Sequence, residues 1–449
     1  MVLMTQGKPM RAIFLFMVPF LIGNIFQEIY TLADSIIVGQ LLGVDAFAGV
    51  GCASVVIRIF TEVILGVNSG FIVILSQEFG AQNKAGVRKC VATSMWIASI
   101  LSIIMVFISF LSAKPILNLT NTPREAFSYA LDFMLVSCAG FPAMMAYNFF
   151  SGISKALGDS KIPLYFLGLS AILNVIFDYF NVLILHLGVV GVAFATIISQ
   201  VISSILCAVY VFKKYRFVLP EMGQKWDASW FYAKKCLRIA LPISCSFAIG
   251  AFGRLFLQTA INDLGVDAVV GYGVARKIDS VLTLSFGALS SAITTYTSQN
   301  FGAKKINRIF EGVRANIMIG MTFCIIFGII MCVFWDQLVG VFVGETEVGI
   351  KEATRQYVNI AISAYPAYCL LLTFRNIMRA MGKTVVPIFA DGVEIFMRSV
   401  GSLTLTFLLG YVGACVSVIL SWYVPFLVII VSYIFTIDEL EKKFAVKNL

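Results

Sequence analysis

The sequence predicts an all-α integral membrane protein of twelve transmembrane helices in two pseudo-symmetric six-helix bundles. Three observations lead there: an apolar composition, apolar stretches of membrane length along the whole chain, and an internal repeat that divides it near the middle. Of 449 residues, 59% are hydrophobic and only 13% charged, and the mean hydropathy is +0.92. Soluble domains carry roughly 25% charged residues, so this chain has too little polar surface to cover itself in water, and its solvent is lipid. Backbone groups in lipid must be hydrogen-bonded within the protein, which leaves helices or a closed barrel. The alternating pattern of barrel strands is missing, so helices remain.

Spans are expected near 11–38, 46–76, 90–113, 126–154, 162–185, 188–212, 233–262, 270–298, 314–335, 353–379, 386–409 and 412–436. Each approaches the roughly twenty residues that cross a hydrocarbon core of about 30 Å. The first apolar stretch, after Lys8 and Arg11, is too long for a cleavable signal and runs into a polar-striped helix. The longest polar linker, 213–235, sets the expected division: an amino-terminal lobe 1–215, a cytoplasmic linker 216–232 and a carboxy-terminal lobe 233–449. Basic residues gather at the ends and in the even-numbered loops, among them Lys84, Arg88, Lys89, Lys155, Lys161, Lys213, Lys214, Lys304, Lys305, Arg308, Arg379 and Lys383. The odd loops hold few, chiefly Lys114, Arg124, Lys351 and Arg355. The positive-inside rule then places both termini in the cytoplasm, which requires an even number of spans. The formal charge of +9 is thus a topology signal and not a nucleic-acid footprint. Ten scattered cysteines form no Cys-x-x-Cys and there is one histidine, so no metal site is expected and the thiols read as reduced packing residues.

The repeat is visible in order along the chain. Leu42-Gly43-Val44-Asp45-Ala46 returns as Leu264-Gly265-Val266-Asp267-Ala268, and Ser76-Gln77-Glu78-Phe79-Gly80-Ala81 as Ser298-Gln299-Asn300-Phe301-Gly302-Ala303. Pro142 pairs with Pro366, Lys155-Ala156-Leu157-Gly158 with Arg379-Ala380-Met381-Gly382, and Gly191 with Gly413. Six spans per half is an even number, so both halves insert in the same orientation, related by an axis along the membrane normal.

Polar side chains inside spans are the functional candidates, because an ionisable group there costs on the order of 3 kcal/mol by insertion scales and faces protein or water. In the first span Asn24, Gln27, Glu28, Thr31, Asp34 and Ser35 fall at helical spacing and make one polar stripe. In the fifth, Asn174 and Asp178 share a face at i, i+4, within an apolar run that has no basic residue from Ile162 to Ile205. Such an aspartate suits a proton or cation site; the alternative is a structural cap on a broken helix. Asp391, Glu394 and Arg398 line the eleventh span, where Glu394 and Arg398 can neutralise each other, and the structural reading is favoured for them. Arg254, Gln258 and Asn262 make a stripe in the seventh span that lines a cavity or packs. No nucleophile–base pair appears, so an enzyme is not expected.

Taken together, these segments resemble the multidrug and toxic compound extrusion (MATE) family over its whole twelve-helix core, in its prokaryotic DinF/MepA-like branch. The matching runs are Tyr30-Thr31-Leu32-Ala33-Asp34-Ser35-Ile36-Ile37-Val38-Gly39, Gln77-x-Phe79-Gly80-Ala81, Gly158-Asp159-Ser160-Lys161-Ile162-Pro163 and Ala275-Arg276-Lys277-Ile278-Asp279. The resemblance implies the fold of that family's superfamily and a proton or sodium site in the amino-terminal lobe, carried here by Asp34, Asn174, Asp178 and Thr196. It implies that Pro19 bends the first helix. A family tyrosine on the fourth helix is Phe133 here, while Tyr357 stands at the repeat-equivalent position, so the ion site is one hydroxyl poorer. It further implies export, by alternating access, of amphipathic organic cations met by the stripe Asn24, Gln27, Glu28 and Thr31, by Phe149 and Phe150, and by Arg254 and Gln258. The implied setting is a monomer in a bacterial cytoplasmic membrane, with a small-molecule substrate, the lipid bilayer, no nucleic acid, and no cofactor beyond the coupling H+ or Na+. The rival reading is a flippase for a lipid-linked oligosaccharide, for which a more cationic central cavity is expected.

Overall fold

The computed structural model describes residues 3–219, 227–340 and 348–445, with Phe342 and Gly344; the side chains of residues 251, 252, 254, 255 and 440–445 lie outside that description. Among the described residues the chain is helical and has no strand. In order come α1 (Pro9–Ile37), α2 (Val44–Gly80), α3 (Lys84–Leu119), α4 (Arg124–Ala139), α5 (Phe141–Ala156), α6 (Lys161–Tyr179), α7 (Gly188–Lys214), α8 (Trp230–Asn262), α9 (Val266–Gly302), α10 (Ile306–Val333), the short α11 (Trp335–Gly340), α12 (Val348–Ala380) and α13 (Val385–Ala445).

Among the described residues nine helices are long and apolar enough to cross a membrane, or ten where α4 and α5, bent by 44° at their junction, count as one span. The 33-residue α8 is long enough but more polar, with Lys234, Lys235 and Arg238 in its first turns. The 61 residues of α13 would reach about 90 Å as one rod, about three hydrocarbon thicknesses. Gly410 breaks it, at φ 59° and ψ −138°, a backbone region essentially reserved for glycine. Counting α8 and dividing α13 there brings the described helices to the twelve expected from sequence. The break inside the fourth crossing was not expected from sequence. Pro142 lies in the first turn of α5, two residues after Gly140, whereas the repeat-equivalent Pro366, two residues after Ala364, sits inside an unbroken α12.

Large apolar side chains cover the outside: Phe407 is 90% exposed, Phe435 70% and Ile103 67%, which water would not tolerate at this scale. Two compact units form. The first is built on Leu15–Ala248, the second on Ile249–Phe301 and the chain from Lys305 on, so the division falls inside α8 and not in the polar linker. Residues 220–226 of that linker lie outside the described residues. The core of the first unit gathers Ile64, Phe71, Ile74, Met134, Phe141 and Met145; that of the second gathers Leu282, Phe286, Tyr357, Tyr365 and Trp422.

The repeat is reproduced contact by contact within each unit. Ser76 donates to the Ala156 carbonyl at 3.4 Å, and Ser298 to the Ala380 carbonyl at 3.4 Å. A Cβ on Gly49 would meet Ala126 O, Tyr129 Cβ and Ala130 N at 2.7–2.9 Å; one on Gly271 would meet Ile350 O, Ala353 Cβ and Thr354 N at 2.6–3.1 Å. These are the same three positions of the repeat, so each second helix needs glycine where it crosses its fourth.

Candidate functional site

Three helices of the first unit bring the sequence-predicted coupling residues together. α1 and α6 are the first and fifth crossings and therefore run parallel. They touch where a Cβ on Gly23 would meet Leu167 at 3.3 Å, and Phe26 lies over Gly168. Asp34 is eleven residues beyond Gly23 (34 − 23), and Asp178 eleven beyond Leu167 (178 − 167). Equal rise along two parallel helices puts both carboxyls at one level, and they face each other at interaction range. Each helix continues into a π turn just past its aspartate, Val38–Leu42 after α1 and Phe180–Ile184 after α6. Ile37, Val38 and Val182 close over that end of the site with Val189 and Val192 of α7. Asn181 ties the turn to α7 by donating to the Gly191 carbonyl at 2.9 Å.

Thr196 of α7 orients the remaining member. Its hydroxyl donates to the Val192 carbonyl at 3.3 Å and accepts from Asn174 Nδ2 at 3.2 Å. The Asn174 amide is thereby fixed with its oxygen unengaged. Asn174 is 2% exposed and Asp178 0%. Asp34 Oδ1, Asn174 Oδ1 and both Asp178 carboxylate oxygens are buried without a hydrogen-bond donor. Buried polar groups are normally paired, and two ionised carboxylates cannot donate to each other. Four acceptor oxygens without donors are the chemistry of a proton or small-cation site.

The other expected positions spread more widely. Gln27, Glu28 and Thr31 are exposed and Asn24 half-buried; Thr31 donates back to the Gln27 carbonyl at 2.9 Å. Pro19 is buried within the continuous α1. Phe149 is 5% exposed in the core of the first unit, edge-on to Phe150 at 5.3 Å. It lines a small cavity of about 10 Å³ with Asn68, Phe71, Cys90 and Ser94. Gln258 donates to Asn262 at 2.8 Å along α8, and the Arg254 side chain lies outside the described residues.

In the second unit, Asp391, Glu394 and Arg398 belong to a larger array. Arg398 Nη2 meets Glu394 Oε1 at 3.1 Å, as the i, i+4 spacing predicts. Arg375 and Arg379 of α12 complete it: Arg375 Nη1 meets Asp391 at 2.5 Å and Glu394 at 2.8 Å, and Arg379 Nη2 meets Asp391 at 2.5 Å. Arg379, read from sequence as a loop charge, is 6% exposed. A second pair joins Arg276 to Asp279 on α9 at 2.6 Å, with Asp279 0% exposed and Arg276 half-buried.

In the turn between α5 and α6, Asp159 accepts from Tyr215 at 2.7 Å, Lys214 at 3.1 Å and Tyr210 at 3.2 Å. Burial opposes its charge, but the Tyr215 and Lys214 hydrogen bonds and the Lys214 charge prevail and hold the carboxyl below the usual aspartate value.

The family model described as MatE matches residues 19–180 and 242–403, both halves of the repeat. The chain is 27% identical over 381 residues to the probable multidrug resistance protein YpnP of Bacillus subtilis, covering 84% of each chain. It is 24% identical to a probable multidrug resistance protein NorM of Thermotoga maritima, over 83% of this chain and 80% of that one. Among solved structures, an outward-facing multidrug resistance MATE family transporter of the MOP superfamily superposes with TM-score 0.90 at 21% identity, over 98% of both chains.

Proposed function

The chain belongs to the MATE family and is a multi-pass membrane transporter, not an enzyme; from that premise we propose that it is a cation-coupled antiporter exporting amphipathic organic compounds by alternating access. The observation that carries this reading is the set of four buried acceptor oxygens without donors on Asp34, Asn174 and Asp178. In the empty site the two carboxylates repel each other in a medium that screens little. A proton or Na+ taken up there relieves the repulsion, and because it favours the conformation in which the acceptors converge, it shifts the population of states. Each elementary charge moved inward gains about 2.3 kcal/mol per 100 mV, to which a chemical gradient adds. The exposed Gln27, Glu28 and Thr31 on α1 suit a polar or cationic group of the cargo, and relatives named for multidrug resistance support drug-like compounds as cargo. The Lys and Arg distribution supports a cytoplasmic membrane with both termini inside.

Efflux of a fluorescent organic cation from vesicles under imposed proton or sodium gradients tests the reading. Asp34→Asn and Asp178→Asn are each expected to lower gradient-driven efflux by about tenfold or more. Unchanged gradient-driven efflux in both variants removes the coupling site.

A further inference from the structure

Two of the thiols read from sequence as packing residues meet in the structure. Cys90 of α3 and Cys236 of α8 are 1% and 0% exposed, and their sulfurs stand 4.0 Å apart inside the first unit. Each lies six residues into its helix (90 − 84 and 236 − 230). One turn earlier on both helices, a Cβ on Gly86 would meet the Tyr232 hydroxyl at 2.6 Å. Equal steps along the two helices mean that α3 and the start of α8 run side by side in the same direction. The start of α8 is also clamped by α2: a Cβ on Gly70 would meet Ala240 Cα at 2.5 Å, and one on Gly66 would meet Ser244 Cα at 2.4 Å. Close-packed backbones leave little room to slide, so the meeting of the two sulfurs is set by the packing of three helices.

The surroundings suit thiol chemistry. Ser94 Oγ, one turn beyond Cys90, lies 4.0 Å from Cys90 Sγ and 3.7 Å from Cys236 Sγ, where it can pass a proton to or from either sulfur. The cavity of about 10 Å³ that Phe149 lines also touches Cys90 and Ser94. It has about the room of one water-sized molecule, and so offers a small neutral oxidant a place beside Cys90.

We propose that Cys90 and Cys236 are a redox-active dithiol, which hydrogen peroxide converts into a disulfide that staples the start of α8 to α3. The Cys90 thiolate attacks one peroxide oxygen; an S–O bond forms, the O–O bond breaks, and the departing hydroxide takes up the thiol proton as water. The Cys236 thiolate then attacks the Cys90 sulfur; the S–S bond forms, the S–O bond breaks, and hydroxide leaves with the second thiol proton as water. Two thiols lose two electrons and two protons, and the peroxide becomes two waters. Bonded sulfurs are about 2.05 Å apart, so the pair must close by about 2 Å, within reach of a change of χ1 rotamer. The disulfide joins residues 146 apart in sequence, and closing a long loop restrains the unfolded chain strongly. The staple responds to oxidant, not to cargo or coupling ion, and stands independently of the transport reading.

The test uses the purified full chain in lipid nanodiscs, with the exposed Cys245 and Cys332 replaced by serine to prevent links between molecules. After hydrogen peroxide and digestion, peptides holding Cys90 and Cys236 are expected to be recovered joined, lighter by two hydrogens, and separated by dithiothreitol. The thermal midpoint is expected to rise by several degrees on oxidation and to return on reduction. Neither change is expected in Cys236→Ser or Cys90→Ser. Recovery of both thiols free after peroxide, oxidation of Cys90 to sulfinic acid with no link, or a midpoint shift that persists in Cys236→Ser overturns the proposal. A link that forms without raising the midpoint overturns the staple.

Discussion

At the scale of single residues, the proposed coupling site depends on a hydroxyl that orients another of its members. Thr196 occupies the Asn174 amide nitrogen and so presents the amide oxygen beside Asp178. Thr196→Val removes one hydrogen bond, worth about 1 kcal/mol, and releases the amide to rotate. The half-saturating cation concentration for efflux is expected to rise about fivefold, with maximal efflux kept. Asp159 makes a different, structural prediction. Its carboxyl is held below its unfolded value, so its stabilisation is present above the unfolded value and is lost as pH falls through the folded one. Tyr215→Phe removes the shortest of its three hydrogen bonds and should cost about 1–2 kcal/mol at neutral pH. The gap in thermal midpoint between the two proteins is expected to narrow on acidification below the carboxylate range. Asp34 stood out in sequence as part of a polar stripe on an apolar span, and Asn174 and Asp178 as polar residues at i, i+4 in an apolar run. Arg375 and Arg379 were not: they fall near the end of a crossing, where basic residues usually mark the membrane boundary. Their signal was spacing. Arg375 and Arg379 at i, i+4 on one crossing oppose Asp391, Glu394 and Arg398 at i, i+3 and i+7 on the next.

At the scale of elements, the positions of helices followed from hydropathy, but their breaks required local stereochemistry. A proline alone did not decide: Pro142 accompanies a 44° bend after Gly140, and Pro366 none after Ala364. Equivalent turns are also fastened by opposite charges. Asp159 holds the turn after α5 to the end of α7, and at the matching position Lys383 holds the turn after α12 to Glu439 of α13 at 2.9 Å. An alignment of hydrophobic pattern alone conceals that exchange. The break at Gly410 gives the sharpest element-scale prediction. Its φ of 59° with ψ of −138° excludes a side chain at an expected strain of about 1–3 kcal/mol. Gly410→Ala should lower the thermal midpoint in detergent by several degrees. Gly392→Ala, on the same helix with nothing within 4 Å of its Cβ position, should leave the midpoint unchanged or raise it slightly. Equal effects at both glycines would show that the break is not strained.

At the scale of the whole molecule, the repeat and the loop charges lead to one expectation about orientation, and α3 tests it. This helix has 36 residues, about 54 Å of rise, and must emerge on both sides of the bilayer. Its start carries Lys84, Arg88 and Lys89 and is assigned to the cytoplasm, while its end at Leu119 is 79% exposed and assigned outside. In a background where the exposed Cys245 and Cys332 are replaced by serine, Leu119→Cys should react with a membrane-impermeant maleimide on intact cells freed of their outer envelope. Ala85→Cys should react only after permeabilisation. Because six crossings separate equivalent points of the two halves, Val333→Cys at the end of α10 should follow Leu119→Cys. Opposite labelling of Leu119→Cys and Val333→Cys would mean an odd number of crossings between them, and the two units would then be inverted and not parallel.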